Sequence, residues 1–314
     1  MIGITAIAYE LPPQRIATAA RAEALGVRAE TLDRRIGVRS ISRKAAHQDT
    51  SDLAVAAALK LFERKLVTPE AVDCLVVVTQ TPDGQGLPQT SAIVHAKLGL
   101  PRSCASFDVG LGCSGYVYGL SVIRSFMEAN GLRHGLLITA DPYSKVIDPE
   151  DKRTALLFGD GAAATLLSDR PQWRIGRFDF GTDGSGAGSL AVQGSDKRLH
   201  MDGRAVLQFA MSVVPDSLRR AMALNGLTPD HIDRVVLHQG SRVVVENIGS
   251  ALGMRDRTGF HIQDYGNTVS SSIPIVLADH LQASDRHVAI SGFGVGLSWA
   301  STVLSRAECA WRLP

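Results

Sequence analysis

Three side chains able to react with or bind a carbonyl compound stand at predicted strand ends in this sequence. Cys113 follows the segment 106–112, His238 lies near the end of the apolar segment 234–239, and Asn267 comes after a Tyr-Gly pair. Strand ends are the usual place for a functional site in an α/β sheet. We therefore expect the thiol, the imidazole and the amide to converge on one pocket, where the thiol attacks a carbonyl carbon.

The helix predicted after Cys113 is a reason to regard this thiol as reactive. Its apolar positions recur at helical spacing and it ends at Asn130-Gly131; these positions are Tyr116, Leu120, Ile123 and Met127. A helix N-terminus favours negative charge, so the sequence predicts a lowered pKa for the Cys113 thiol. Each site residue also has an ordinary structural interpretation: a buried structural cysteine, a core or surface histidine, and a turn or cap asparagine.

A glycine-rich segment near the C-terminus offers backbone donors. Residues 292–296 read Gly-Phe-Gly-Val-Gly, and glycine leaves backbone N–H groups open to an anionic oxygen. The spacing differs from the GxGxxG of dinucleotide-binding loops and no β-α-β unit follows it, which argues against a dinucleotide. The segment therefore predicts a site for an oxyanion.

The segments that position these residues occur as an internal repeat, with one copy in each half of the chain. Segment 66–81 can be laid over segment 226–241, with Thr-Pro near the start of both and Asp73 matching Asp233. Further matches follow in the same order: Leu98-Gly99 with Leu252-Gly253, Phe107 with Phe260, and Arg133-His134 with Arg286-His287. Chance similarity of short segments is the alternative, but the shared order favours an internal duplication.

Each copy predicts alternating strands and helices. Three apolar runs lack the alternation of half-exposed strands, as fully buried strands do: Leu75–Val78, Leu136–Thr139 and Ala162–Leu167. We predict two similar α/β halves, each with a mixed sheet between helices: residues 1–170 with the cysteine, and residues 171–314 with the histidine and the asparagine. The Gly-rich stretch 181–189 is interpreted as a surface loop.

Composition argues against several classes of function. The 314 residues include 33 basic and 31 acidic side chains, and this balance predicts no binding of nucleic acid or of an anionic membrane surface. No stretch has the length of a membrane span or the pattern of a secretion signal, so we expect a cytoplasmic protein. Without a CxxC pair we expect no metal site and four free thiols, at Cys74, Cys104, Cys113 and Cys309.

At these residues the sequence resembles the thiolase-superfamily condensing enzymes, and among them the β-ketoacyl-acyl-carrier-protein synthase III family. The resemblance is carried by motifs spread over nearly the whole chain: FDVGLGCSGYVYGL around Cys113, FGDGAAATLL at 158–167, MDGRAVLQFA at 201–210, LTPDHIDRVVLHQ, YGNTVSSSIP and FGVGLSW. It implies a five-layered αβαβα duplication, and members of this family are usually homodimers.

The resemblance also implies a reaction and a role for each site residue. Cys113 takes an acyl group from a thioester, and His238 and Asn267 hold a malonyl thioester while it loses CO₂ and attacks the acyl-enzyme. The backbone N–H groups of Cys113 and Val295 form the acyl oxyanion hole, and substrate contacts Gly294 and Gly296 beside it. Coenzyme A and acyl-carrier-protein thioesters are the implied substrates, with acyl carrier protein as partner and no permanently bound cofactor.

Several positions depart from the family pattern, and they concern substrate delivery. Thr31 stands where the family has a tryptophan that stacks on the adenine of coenzyme A, although Arg35 is kept as a substrate-binding residue. Four other positions carry expected roles: Leu87 in the primer pocket, Lys152 near phosphates, Ser241 in the pocket wall, and Arg242 in carrier-protein docking. These changes indicate a specialised paralogue acting in a secondary-metabolite or polyketide starter pathway.

Three functions remain open from the sequence. Decarboxylative condensation, in fatty-acid or specialised biosynthesis, requires Cys113, His238 and Asn267 together. An acyltransferase would pass the group from Cys113 to an amine or hydroxyl, and its activity would survive loss of Asn267. A non-catalytic partner subunit of a condensing complex typically lacks one of the three residues, and none is missing here. A cysteine hydrolase would not explain the duplication.

Overall fold

The computed structural model describes residues 1–307. The strands are β1 (Gly3–Glu10), β2 (Gln14–Ala17), β3 (Ser40–Arg43), β4 (Cys74–Val78), β5 (Ala105–Val109), β6 (His134–Ala140), β7 (Ala162–Ser168), β8 (Trp173–Ile175), β9 (Asp179–Thr182), β10 (Leu190–Gln193), β11 (Arg198–Met201), β12 (Arg234–Leu237), β13 (His287–Gly294) and β14 (Ser298–Arg306). The helices are α1 (Thr18–Ala24), α2 (Ala29–Thr31), α3 (Thr50–Glu63), α4 (Thr90–Leu98), α5 (Gly115–Asn130), α6 (Gly203–Leu224), α7 (Arg242–Leu252) and α8 (Ser272–His280).

The larger helices form three layers with strands between them. Helices α3 and α4 share one core with β4, β6 and β7, and helices α6 and α7 share another with β12, β13 and β14. Helices α5 and α8 lie between these two sets of strands, because a third core joins both helices to strands from both halves. This is the five-layered αβαβα arrangement, so the predicted fold class is confirmed.

Ten strands form one mixed, hydrogen-bonded sheet. Their order is β12-β13-β14-β8-β1-β7-β6-β4-β5, with β9 paired to β14. The pairs β4–β5, β4–β6 and β12–β13 are parallel, and the remaining pairs of this sheet are antiparallel. Strand β8 pairs with β1 and with β14, so this short strand joins the two halves close to the predicted boundary. The division at residue 170 itself remains a prediction.

Burial of both faces of the central strands explains their uninterrupted apolar runs. In β4, Val76 and Val78 belong to the core around α5, whereas Leu75 and Val77 belong to the core under α3 and α4. All four side chains are fully buried. A strand covered on both faces needs apolar residues at every position, which confirms the three predicted strands.

The duplication is visible in a hydrogen-bond arrangement that occurs once in each half. The Oδ2 atom of Asp73, just before β4, accepts hydrogen bonds from the backbone N–H groups of Arg133 and His134 at 2.8 and 2.9 Å. The Oδ2 atom of Asp233, just before β12, accepts from Arg286 and His287 at 2.7 and 2.9 Å. The residues matched in the sequence therefore make equivalent hydrogen bonds in both copies.

The Gly-rich stretch 181–189 is less irregular than predicted. Its first two residues end β9, which pairs with β14, and residues Gly184–Ser189 form a 3₁₀ helix. The Asp183 side chain accepts a hydrogen bond from the Ser185 N–H at the start of that turn. Pairing with β14 supplies long-range hydrogen bonds that the local composition did not indicate. The stretch lies largely at the surface, as expected.

Two further expectations concern membranes and thiols. Within residues 1–307, no helix combines the length and apolar content that a membrane crossing requires. Cys74, Cys104 and Cys113 are free thiols, as predicted. Cys309 lies outside the described residues.

Candidate active site

Cys113 lies in the turn between β5 and α5, enclosed by backbone from the second half of the chain. Its side chain is only 3% exposed. Gly294, at the end of β13, approaches so closely that a Cβ there would lie 2.8 Å from the Cys113 Sγ atom. The φ angle of Gly294, +154°, is also one that residues with side chains rarely adopt. Glycine is therefore required at this position for two independent reasons.

Two backbone donors face the sulfur. The N–H groups of Val295 and of Cys113 itself lie close to the thiol and act to lower its pKa. When the sulfur carries an acyl group, N–H groups in this position can stabilise the oxygen of a tetrahedral intermediate. The segment that the sequence marked as an oxyanion site thus lies against the candidate nucleophile.

The pKa of the Cys113 thiol is shifted in the direction opposite to the one predicted. Burial raises the pKa of Cys113 to about 12, and the nearby Asp141 carboxylate also acts to raise it. The two backbone N–H groups act in the opposite direction. The expectation of a lowered pKa from the α5 terminus is wrong for this closed pocket. Removing water from around the thiolate raises its free energy by more than the two backbone N–H groups lower it.

Alkylation of Cys113 by iodoacetamide is expected to accelerate about tenfold per pH unit from about pH 7 to about pH 9, since the thiolate is the reacting form. A pKa of about 12 predicts no plateau in this interval. Peptide mapping by mass spectrometry separates this adduct from adducts on Cys74 and Cys104. A rate that levels off near pH 8 would show that the thiol ionises far more easily than its burial implies.

His238 follows directly after β12 and is held from three sides. Its backbone N–H donates to the Ser291 carbonyl at 2.8 Å, and its ring meets the Phe293 ring edge-on with centroids 5.6 Å apart. Its Nδ1 atom lies 2.8 Å from the Ser272 hydroxyl. Burial lowers the pKa of His238 to about 3, against an opposing effect of the Val269 carbonyl, so the imidazole is neutral near pH 7.

Asn267 is oriented so that its amide nitrogen faces His238. Its Oδ1 atom accepts the Val269 backbone N–H at 2.9 Å, and its own backbone N–H donates to the Leu157 carbonyl at 2.8 Å. With Oδ1 occupied, the Nδ2 atom lies 3.5 Å from the His238 Nε2 atom. The structure therefore brings these two predicted site residues together as neighbouring nitrogen groups.

The backbone at Val269 is unusual and was not predicted. Its φ angle is +54°, a left-handed value that is rare for a β-branched residue. This conformation allows the Val269 N–H to hold Asn267 while the Val269 carbonyl accepts from Ser272 at 3.0 Å. Outliers of this kind persist where the surrounding structure enforces them, often at functional sites.

Two side chains that support the site, Ser272 and Asp141, were also not predicted from the sequence. Ser272 contacts His238, and Asp141 is a fully buried carboxyl that accepts hydrogen bonds from the Ser270 hydroxyl and the Gln80 N–H. Burial, opposed by these hydrogen bonds, raises the pKa of Asp141 to about 6. The sequence contained signals for both. Asp141 directly follows a strand, and an unbroken run of serines follows Asn267 before an apolar helix.

The residues assigned to substrate delivery lie mostly at the surface. Arg35 and Lys152 are exposed, and Leu87 is 93% exposed. Ser241 is half-buried and directly precedes α7. Arg242 is less available than predicted. Its guanidinium lies 3.7 Å from the Glu246 carboxylate and 5.1 Å from the centre of the Phe260 ring.

Comparison with known proteins agrees with this geometry. The family model described as 3-oxoacyl-[acyl-carrier-protein (ACP)] synthase III matches residues 107–184, and its C-terminal companion matches residues 222–306. The curated β-ketoacyl-[acyl-carrier-protein] synthase III of Lactococcus lactis subsp. cremoris MG1363 is 32% identical, over 96% of this chain and 98% of its own length. The chain belongs to the β-ketoacyl-acyl-carrier-protein synthase III family.

Solved structures of this family and its relatives superpose closely. A 3-oxoacyl-(acyl-carrier-protein) synthase III crystal structure has a TM-score of 0.91 at 34% identity, covering 97% of this chain and 99% of the other. The priming β-ketosynthase of the R1128 polyketide biosynthetic pathway has a TM-score of 0.89 at 26% identity, with coverages of 98% and 97%. The synthase III family thus accounts for the whole described fold, and a polyketide-pathway enzyme shares it.

Proposed function

We propose that the protein is a decarboxylative condensing enzyme that joins an acyl primer on Cys113 to a malonyl thioester. One observation carries this proposal: the pocket holds two separate pairs of nitrogen groups that can donate hydrogen bonds. The backbone N–H groups of Cys113 and Val295 face the sulfur, and the side chains of His238 and Asn267 place nitrogens 3.5 Å apart. Condensation needs two such sites, one for the acyl oxygen and one for the enolate oxygen.

The first half-reaction transfers the acyl group to the enzyme. The Cys113 sulfur attacks the carbonyl carbon of the acyl thioester, and the two backbone N–H groups stabilise the tetrahedral oxygen. The C–S bond to the carrier breaks, and the proton of the Cys113 thiol ends on the departing carrier thiol. Gly294 leaves space for this step because it adds no side chain beside the sulfur, whereas a Cβ at Gly296 would meet Ser298 instead.

The second half-reaction uses the other pair of donors. His238 and Asn267 hold the carbonyl oxygen of the malonyl thioester, which becomes the enolate oxygen as CO₂ leaves. The enolate carbon attacks the acyl carbon on Cys113, which releases the β-ketoacyl thioester and a thiolate that takes up one proton. A neutral imidazole donates only from the nitrogen that carries its proton. For Nε2 to carry the ring proton in this step, the single proton of the Ser272 hydroxyl must turn from the Val269 carbonyl to Nδ1, which lies 2.8 Å away.

Ser272→Ala is expected to slow malonyl decarboxylation by about tenfold while acylation of Cys113 continues at the wild-type rate, because the hydrogen bonds of Ser272 go to His238 and to the backbone of Gln239 and Val269. The readout is the decarboxylation rate at saturating malonyl thioester, which separates a loss in kcat from weaker binding. Ser272→Thr, which keeps the hydroxyl, is expected to restore most of the rate. An equal loss in both half-reactions would mean that Ser272 only supports the fold.

Product analysis distinguishes condensation from the acyltransferase alternative. Purified enzyme is given an acyl-coenzyme A primer with either malonyl-acyl-carrier-protein or a mixture of amines and hydroxyl compounds, and the products are identified by mass spectrometry. The proposal predicts a β-ketoacyl-carrier product and an equal amount of CO₂ with the malonyl acceptor. Ester or amide formation without CO₂ release would instead establish simple acyl transfer.

Substrate delivery and assembly belong to the same proposal. Coenzyme A and acyl-carrier-protein thioesters serve as donors, with Arg35 and Lys152 as exposed cations for their phosphates and Arg242 beside the carrier. Ser241 lies between His238 and α7 in the pocket wall.

We also propose a homodimer in which the exposed Leu87 side chain contributes to the primer pocket of a second copy. A monomeric mass in light scattering would contradict this assembly.

A further inference from the structure

A small cavity lies near Cys113, which packs in one core with three of the residues that line it, Tyr143, Leu190 and Leu199. It has a volume of about 160 Å³ and is lined by Gln80, Thr81, Tyr143, Val146, Leu190, Ala191, Val192, Leu199 and Val295. Val295 supplies one of the N–H groups at the sulfur. Two lining residues also lie close to Gly112, the residue before Cys113, since a Cβ there would lie 2.3 Å from the Gln80 Oε1 atom and 3.3 Å from the Tyr143 hydroxyl. An acyl group on Cys113 can therefore extend into this cavity.

Three of the residues that line this cavity bring polar groups to it. The Tyr143 hydroxyl donates to the Gln80 Oε1 atom at 2.9 Å, which leaves the Gln80 Nε2 group as a donor without a partner among residues 1–307. The Thr81 hydroxyl is buried and also has no partner in that part of the chain. Buried polar groups in native proteins are nearly always paired. The buried Thr81 hydroxyl is unpaired in this sense, and the half-buried Gln80 amide beside it has free donors, so together they point to a ligand that pairs them.

We propose that the primer is a short acyl group with a hydrogen-bonding substituent, such as a hydroxyl on its third carbon, and that Gln80, Thr81 and Tyr143 determine this specificity. The proposal rests on the acyl-Cys113 intermediate described above. The substituent accepts from the Gln80 amide and donates to the Thr81 hydroxyl, while Tyr143 fixes the amide orientation. A hydrocarbon primer of the same shape would leave both groups unpaired, and sites built for a hydroxyl reject analogues that lack it.

Size supports the same conclusion. The volume of about 160 Å³ is well below the roughly 300–1,000 Å³ of typical ligand pockets. Tyr143 is 3% exposed and packs against Phe158 with ring centroids 5.2 Å apart, so it cannot swing away easily to admit a longer chain. We therefore expect primers of about four or five carbons to be accepted and an octanoyl chain to be excluded.

The test compares two primers of nearly equal shape. Rates of acyl-Cys113 formation are measured by intact mass spectrometry with 3-hydroxybutyryl-coenzyme A and 3-methylbutyryl-coenzyme A, which differ by a hydroxyl in place of a methyl group. The wild type is expected to favour the hydroxyl primer by about tenfold or more. Thr81→Val, which keeps the side-chain shape, and Gln80→Met are each expected to reduce this ratio severalfold.

Tyr116→Phe serves as the matched control. Its hydroxyl is also buried but pairs with Thr165, away from the cavity, at 3.3 Å. This variant is expected to keep the wild-type ratio of the two acylation rates. If wild-type enzyme acylates equally well or better with the 3-methylbutyryl primer, the specificity proposal is overturned while acylation of Cys113 stands. If no primer forms an adduct, the proposed function itself fails.

Discussion

Cys113→Ala is expected to abolish acyl-enzyme formation, with a loss in turnover of roughly four orders of magnitude or more. The backbone N–H groups of Val295 and Cys113 act on the sulfur, and alanine removes the atom that they would support. Alanine also leaves Gly294 and its close backbone approach undisturbed. Intact mass spectrometry after incubation with acyl-coenzyme A detects the adduct directly.

Cys104→Ala is the matched control for that experiment. Cys104 is also a free, buried thiol, but it belongs to the core under α3 and α4 and not to the pocket. This variant is expected to form the adduct like the wild type. An adduct that persists in Cys113→Ala and disappears in Cys104→Ala would show that Cys104 is the nucleophile. That result would contradict the assignment of Cys113 to this role.

His238→Ala and Asn267→Ala are each expected to slow malonyl decarboxylation by two or more orders of magnitude, roughly the effect of removing one preorganised donor. Acylation of Cys113 is expected to continue in both variants, because the sulfur faces a different pair of N–H groups. The double variant is expected to lose little more than either single variant, since the two nitrogens act on one oxygen. Release of CO₂ from a carboxyl-labelled malonyl thioester measures each rate.

Two further variants sharpen this prediction. Asn267→Asp keeps the shape of the side chain but places a carboxylate beside the developing enolate, so it is expected to lose at least as much activity as Asn267→Ala. His287→Ala removes a histidine at the opposite end of β13, where its Nδ1 atom lies 3.0 Å from the Ser305 hydroxyl, and is expected to keep the wild-type rate. Unchanged malonyl turnover in Asn267→Ala would favour the acyltransferase alternative.

Much of the fold was predictable because the signals were local and repeated. The matched aspartates, Asp73 and Asp233, precede strands and accept from equivalent pairs of backbone N–H groups, so a short sequence match indicated a shared structure. The apolar run of β4 identified a strand buried on both faces. The ends of β9 could not be predicted in this way, since its pairing with β14 depends on distant residues.

The candidate site was predictable in its residues but not in its electrostatics. Cys113, His238 and Asn267 could be named because their side-chain chemistry is distinctive and each lies near a predicted strand end. The pKa of Cys113 could not be predicted, because the degree of enclosure by Gly294 and the second half of the chain is a tertiary property. The left-handed backbone of Val269 and the contact of Ser272 with His238 depend on that same enclosure.

The most direct test of the account is a single-turnover experiment on isolated acyl-enzyme. Wild-type protein is acylated, freed of excess primer, and mixed with a malonyl thioester labelled in its free carboxyl group. The account predicts loss of the acyl mass from Cys113, with one labelled CO₂ and one β-ketoacyl thioester formed per acyl group lost. An acyl-enzyme that persists under these conditions, or CO₂ release without a β-ketoacyl product, would contradict it.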